Sequence, residues 1–443
     1  MQYYKAFIRK PYQTFFVLAF PVLFSLIAEP LTGLVDTAFI ARLGAEELAA
    51  LGVGTTALSS FFWVFGFLGI GAQTEISQAL GGKDYKKAKA TASLVLLLSA
   101  VVGTVILIAG IGFTKPIAAL MGAEGSVLKL SSQYMAFRFL GAPAILISFA
   151  EFGILRGMMD MKSPLWLAIG INALNILLDA LLIFGLGPIP ALGVAGAALA
   201  SSISQWLGAL VGLWIIYKKL GFTRQVALKT AKRLMTIGGN MFIRTGLLTF
   251  FLILTTRNAT KIGPEAGAAH QAVRQTWLLA ALWLDAFAVA AQSLVAFYMG
   301  SGKRKLAKRA AFYSCLLSFY SGLILALMMW FGESLFAYLL VPTAAAGLFS
   351  TIWLVSCLSQ PINALAFASD GIHWGTSDFA YLRNAMILAS LTGGFLLIRV
   401  DLQAPEALFN VWLIIAVWCA IRAVLGILRI WPGLGKSPFT TNV

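Results

Sequence analysis

Apolar positions along this chain do not alternate with polar ones. They run on for twenty residues or more, and short clusters of Gly, Pro, Lys and Arg separate the runs. A helix needs about twenty apolar residues to cross a bilayer. Twelve such stretches are predicted, over about 12–42, 46–80, 86–113, 126–154, 162–184, 191–217, 229–261, 265–299, 303–331, 345–372, 377–399 and 404–431. Several are longer than a straight crossing requires, which predicts tilt, kinks or extension into water. The expectation is an all-α integral membrane protein with nothing left over for a soluble domain. The first apolar stretch continues to Ile40 without a small-residue cleavage site, so it reads as a retained span rather than a signal peptide.

The second half of the pattern repeats the first. Gly44, Glu46, Ala49 and Ala50 recur 219 positions later as Gly263, Glu265, Ala268 and Ala269. Ala72-Gln73-Thr74 recurs as Ala291-Gln292-Ser293, Gly81 as Gly300 and Ala88 as Ala307. Pro143, Gly153, Gly157 and Asp160 match Pro361, Gly371, Gly375 and Asp378 at an offset of 218. A half-chain repeat in an apolar protein predicts two pseudo-symmetric six-helix bundles, the architecture of secondary transporters. The expected division is 1–217 for spans 1–6, a linker over 218–233, and 234–443 for spans 7–12.

Composition agrees: 60% of residues are hydrophobic and only 11% are charged, where a soluble chain carries about a quarter. The net charge of +16 does not indicate nucleic-acid binding, because the basic residues gather in alternate short loops. Lys and Arg number 23 on one side of the predicted topology and 6 on the other, which places both termini in the cytoplasm of a multi-pass cell-membrane protein. The two halves are then parallel repeats. Cys315, Cys357 and Cys419 are isolated in apolar runs and read as packing residues. His270 and His373 are isolated too, so no metal cluster is expected. Gly66, Gly69, Gly71, Gly193, Gly196 and the Gly208/Gly212 GxxxG pair predict close helix packing. Asn258-Ala259-Thr260 is a sequon on a predicted outer loop.

Ionisable groups inside spans are costly and so point to function or pairing. Asp36, late in span 1, and Asp179, late in span 5, sit at similar depth, and Asn175 lies one helical turn before Asp179. Two carboxyls in an apolar setting do not both carry charge cheaply, so the pair suits a proton that is taken up and released. With Asn175 as a further oxygen the same cluster suits Na⁺. Pro21 and Pro30 remove backbone hydrogen bonds from span 1 and predict a bend, with Glu29 between them. Arg244 in span 7 and Asp285 in span 8 lie at equal depth and are expected to form a structural ion pair. Glu75, Glu151 and Asp370 fall near inner span ends, where solvated or loop-bracing roles are expected. Arg138 and Arg274 are candidates for lining a cleft, and Phe61, Phe62, Trp63, Phe65, Phe149 and Phe152 would suit flat lipophilic cations there. No Walker A pattern, GxGxxG or nucleophile elbow occurs, so neither an enzyme nor a cofactor is expected beyond H⁺ or Na⁺ as coupling ion.

The stretches FPVLFSLIAEPLTGLVDTAFIARLGAEELAALGVG and GIGAQTEISQALGGKDYKKAKA resemble the multidrug and toxic compound extrusion (MATE) transporters, most nearly their DinF-like branch. The likeness extends over the whole chain. It implies two six-helix lobes arranged as a V and a monomeric antiporter, exporting cationic or amphipathic organic compounds against H⁺ or Na⁺. It also implies ion coupling at Asp36, Asn175 and Asp179, with the span 1 bend at Pro21. Span 7, acidic in some other branches, carries Arg244 instead. The competing readings are a flippase for a lipid-linked oligosaccharide or peptidoglycan precursor, and a membrane scaffold without transport. Twelve spans and the paired acids favour the antiporter.

Overall fold

The computed structural model describes residues 2–185, 187–188, 190–224 and 228–440; of the expected linker, residues 225–227 lie outside these. The described chain is helical because a segment in lipid must satisfy its backbone groups internally. Gln2–Arg9 (α1) precedes the first span, a short helix that the apolar pattern does not predict. Then come Pro11–Ile40 (α2), Ala45–Trp63 (α3), Phe67–Gly81 (α4), Tyr85–Leu120 (α5), Gly125–Leu140 (α6), Ala142–Gly157 (α7), Lys162–Phe184 (α8) and Val194–Lys219 (α9). The second half holds Leu228–Ile262 (α10), Pro264–Gly300 (α11), Arg304–Leu340 (α12), Ala346–Gly375 (α13), Phe379–Ile398 (α14) and Ala407–Ile430 (α15). Among the described residues eleven crossings are long and apolar enough by themselves, α3 and α4 counting as one, and the pair α6 and α7, taken as one span, makes a twelfth.

That pair is bent by 50° at Gly141. Pro143 stands in the first turn of α7, where its missing N–H costs no helical bond. By contrast, α2 is assigned as one continuous helix through Pro21 and Pro30, so no helix break marks the bend expected there. The sequon also changes character. Asn258 lies within α10, and its amide donates to the Leu397 carbonyl at 3.0 Å.

The chain divides into two compact units, Phe24–Gly238 and Met1–Leu23 together with Gly239–Val443. The expected boundary at 218–233 therefore moves to residue 238, inside α10, and the N-terminal 23 residues join the second half. Aromatic contacts account for this. Tyr298 donates its hydroxyl to the Tyr4 carbonyl at 2.8 Å, Phe7 is fully buried beside Phe15 and Tyr313, and Phe16 meets Phe287 edge-on.

The internal repeat is visible in how each unit packs. In the first unit, a Cβ on Gly103 would lie 2.4 Å from Pro143 Cα; in the second, one on Gly322 would lie 2.9 Å from Pro361 Cα. The core of the first unit gathers Phe62, Met135, Phe139, Leu146 and Ile183 at one level and Ile76, Val95, Ile154 and Leu155 at another. The second unit is built on aromatics, among them Phe349, Trp353 and the stacked pair Phe251 and Trp418, whose ring centres are 4.7 Å apart.

Candidate functional site

In the first unit α2 and α8 bring Asp36 and Asp179 together. Their carboxyls are in side-chain contact, as the similar depth of the two residues predicts. Asp179 is fully buried and Asp36 half-buried. Asn175, one turn back on α8, donates from Nδ2 to Asp179 Oδ2 at 3.1 Å, and the same nitrogen lies 3.5 Å from Ser201 Oγ on α9. Oδ1 of Asp36 and Oδ1 of Asp179 are buried and meet no donor among the described residues. Arg138 on α6 stands within electrostatic reach of both carboxyls and of Glu29, with the buried Tyr134 beside it. The arrangement is two facing acids, an amide donor and one cation nearby. Tyr134 and Ser201 escape the sequence reading because uncharged polar residues are common in spans.

Other candidates fall elsewhere. Arg244 was expected to pair with Asp285. The structure instead gives it Asp370 on α13 as ion-pair partner, with the half-buried Asp285 within electrostatic reach. Arg422 on α15 joins the same aspartate at 2.8 Å. Asp370 is therefore not a solvated loop brace, being only 4% exposed. Arg422 sits in the apolar run AVWCAIRAVLG, a signal available from sequence. Glu75 is also buried, 2.7 Å from Arg233 Nε, so its expected solvated role is likewise corrected. Glu151 is buried against Gly212 on α9, and neither of its oxygens meets a donor among the described residues. Arg274 is half-buried and donates to Thr256 Oγ at 3.4 Å, which also lies 3.2 Å from His270 Nε2. Phe61 and Trp63 are exposed, whereas Phe62 packs in the core against Phe139. Among the described residues no group of three or more His, Cys, Asp or Glu could hold a metal ion.

A family model described as MatE matches residues 21–181 and 241–397, one segment in each half. Protein DETOXIFICATION 44, chloroplastic, of Arabidopsis thaliana is 31% identical over 95% of this chain and 84% of its own length. DNA damage-inducible protein F of Escherichia coli (strain K12) is 29% identical over 96% and 93%. Among solved structures, a crystal structure of MATE in the bent conformation superposes with a TM-score of 0.88 at 22% identity, covering 96% of this chain and 95% of that one.

Proposed function

We propose that this chain, which belongs to the MATE family of membrane transporters, is a secondary antiporter that expels small amphipathic organic compounds in exchange for H⁺ bound by Asp36 and Asp179. The observation that carries the reading is the contact between the two carboxyls, each with a buried Oδ1 that meets no donor among the described residues. Two bare carboxylates at this separation repel strongly in a medium of low dielectric. One shared proton removes a charge and supplies the missing hydrogen bond. Na⁺ is the alternative ion, held by Asp36, Asp179 and the Asn175 amide. As placed, Asn175 turns its nitrogen and not its oxygen toward Asp179, which suits a proton better than a cation.

Coupling follows from differential affinity, since an ion shifts a two-state equilibrium only by binding one state better. Proton uptake changes the hydrogen bonds that Asp36 makes on α2. That helix also carries Pro21, two residues before the division between the units at Leu23 and Phe24. Proline cannot donate to the carbonyl four residues back, so the backbone there bends at low cost. Protonation at Asp36 would release α2 to bend at Pro21 and expel the cargo. The positive-inside rule puts both termini in the cytoplasm of a cell membrane, so protons enter as cargo leaves.

Efflux from proteoliposomes tests this reading. Vesicles loaded with ethidium, an amphipathic cation, or with naphthalene-2-carboxylate, an amphipathic anion, are followed while the pH and Na⁺ gradients are dissipated separately. The expected result is efflux of at least one probe that stops with loss of the pH gradient and survives loss of the Na⁺ gradient. Efflux of both probes indifferent to either gradient would refute antiport.

A further inference from the structure

The second unit buries charge that the coupling proposal does not use. Arg244 on α10 and Arg422 on α15 both donate through Nη2 to one oxygen, Oδ2 of Asp370 on α13, the Arg422 bond measuring 2.8 Å. Arg244 is 6% exposed and Arg422 5%. Their guanidinium groups lie against aromatic rings. Arg422 is 4.6 Å from the ring centre of Trp418 and 5.9 Å from that of Phe367, and Arg244 is 5.5 Å from that of Trp374. The Nε–H of each arginine is buried and meets no acceptor among the described residues.

This cluster has more donors and more positive charge than its one buried acceptor matches. Each guanidinium offers five N–H donors in a planar fork, and a carboxylate matches that fork two bonds at a time. Here one carboxylate oxygen serves two forks. A buried donor without an acceptor, and a buried charge incompletely paired, each raise the free energy of the site. The half-buried Asp285 near Arg244 relieves part of the field, but among the described residues Arg422 has its ion pair with Asp370 alone. An incoming anion would satisfy what remains. The ring faces suit a flat apolar body more than a small hydrated ion, which would have to give up its water against Trp and Phe. The first unit has the opposite polarity, with two facing acids near one arginine.

We propose that Arg244, Asp370 and Arg422 form a binding site for an organic carboxylate with a flat apolar body. Asp370 is the internal competitor: it holds both guanidinium groups when the site is empty, and yields one of them, through Arg422, to the carboxylate of the ligand. That this ligand is the exported cargo rests on the antiport reading; the binding site itself rests on the cluster.

Binding to the purified full-length protein in detergent, with no gradient present, tests the site separately from coupling. Naphthalene-2-carboxylate, its neutral amide, 2-naphthylmethylammonium and inorganic phosphate are compared by calorimetry and by the shift in unfolding midpoint. The carboxylate is expected to bind and to raise the midpoint, and the other three are not. Arg422→Gln should weaken carboxylate binding at least ten-fold. Should that variant fail to fold, Arg422→Lys keeps the charge without the fork and should also bind more weakly than wild type. Asp370→Asn should unfold more easily without ligand, yet bind the carboxylate at least ten-fold more tightly, because the competitor is gone. Equal binding of amide and carboxylate, phosphate binding as well as the carboxylate, or an Asp370→Asn protein that is destabilised without any gain in carboxylate affinity would each overturn the proposal. Failure here leaves the pH-gradient result untouched, and failure of that result leaves carboxylate binding untouched.

Discussion

Gly153 lies so close to Gly69 that a Cβ on Gly153 would stand 2.1 Å from the Gly69 carbonyl oxygen. The crossing of α7 over α4 therefore depends on the absence of a side chain. The second unit repeats the device: a Cβ on Gly371 would stand 2.2 Å from the Ala288 carbonyl oxygen. Gly153→Ala and Gly371→Ala are expected to force their helix pairs apart, at about 1–3 kcal/mol each. Gly170→Ala, with no atom within 4 Å of its Cβ, should be tolerated. Unfolding midpoints of the three variants in detergent check this; a Gly153→Ala protein as stable as Gly170→Ala would contradict the close crossing.

Asp160 and Asp378, the repeat-related pair at the turns after α7 and α13, predict a dependence on acid. Burial pushes the Asp160 carboxyl up, but hydrogen bonds from Lys219 and Ser163 outweigh it and hold the group below its ordinary value of 3.8. Asp378 is shifted the same way: burial raises it, and the neighbouring His373 together with the hydrogen bond from Arg429 outweighs that and lowers it. A folded value below the unfolded one means stability present above 3.8 and lost as pH falls through the folded value. Asp160→Asn should thus lower the unfolding midpoint at neutral pH, with the difference from wild type shrinking as pH drops below 3.8. A difference that is constant down to strongly acid pH would remove Asp160 as the cause.

The charge asymmetry predicts which loops face outside. Cys315, Cys357 and Cys419 are all buried, so wild type should give little background with an impermeant thiol reagent. A cysteine placed at Lys261 should be labelled from outside the cell, and one placed at Lys219 should not. The reverse pattern would invert the topology.

Crossing helices and their repeat were legible because lipid demands long apolar runs, and because Gly153, Gly371 and their matches mark where backbones touch. The Asp36–Asp179 contact was legible too, since equal depth on helices of one bundle is nearly enough to bring two side chains together. Depth did not suffice for Arg244. Asp285 shares its level, but the direction in which each helix turns its faces decides the partner, and it favours Asp370 on α13. Rotation about a helix axis leaves little trace in a sequence that is apolar all round. The same holds for α1, whose few apolar side chains Tyr4 and Phe7 acquire meaning only against Tyr298 and Tyr313. The 50° bend has its sequence signal in Gly141 and Pro143, a glycine followed by a proline in the first turn of α7.

The coupling claim is tested most directly by efflux from proteoliposomes carrying wild type, Asp36→Asn or Asp179→Asn, with folding of each verified by its unfolding midpoint. Asn keeps the shape of the side chain and cannot exchange a proton at this pH. The account predicts folded variants in which efflux driven by the pH gradient is abolished. Wild-type, gradient-dependent efflux in both variants would show that the proton is carried elsewhere.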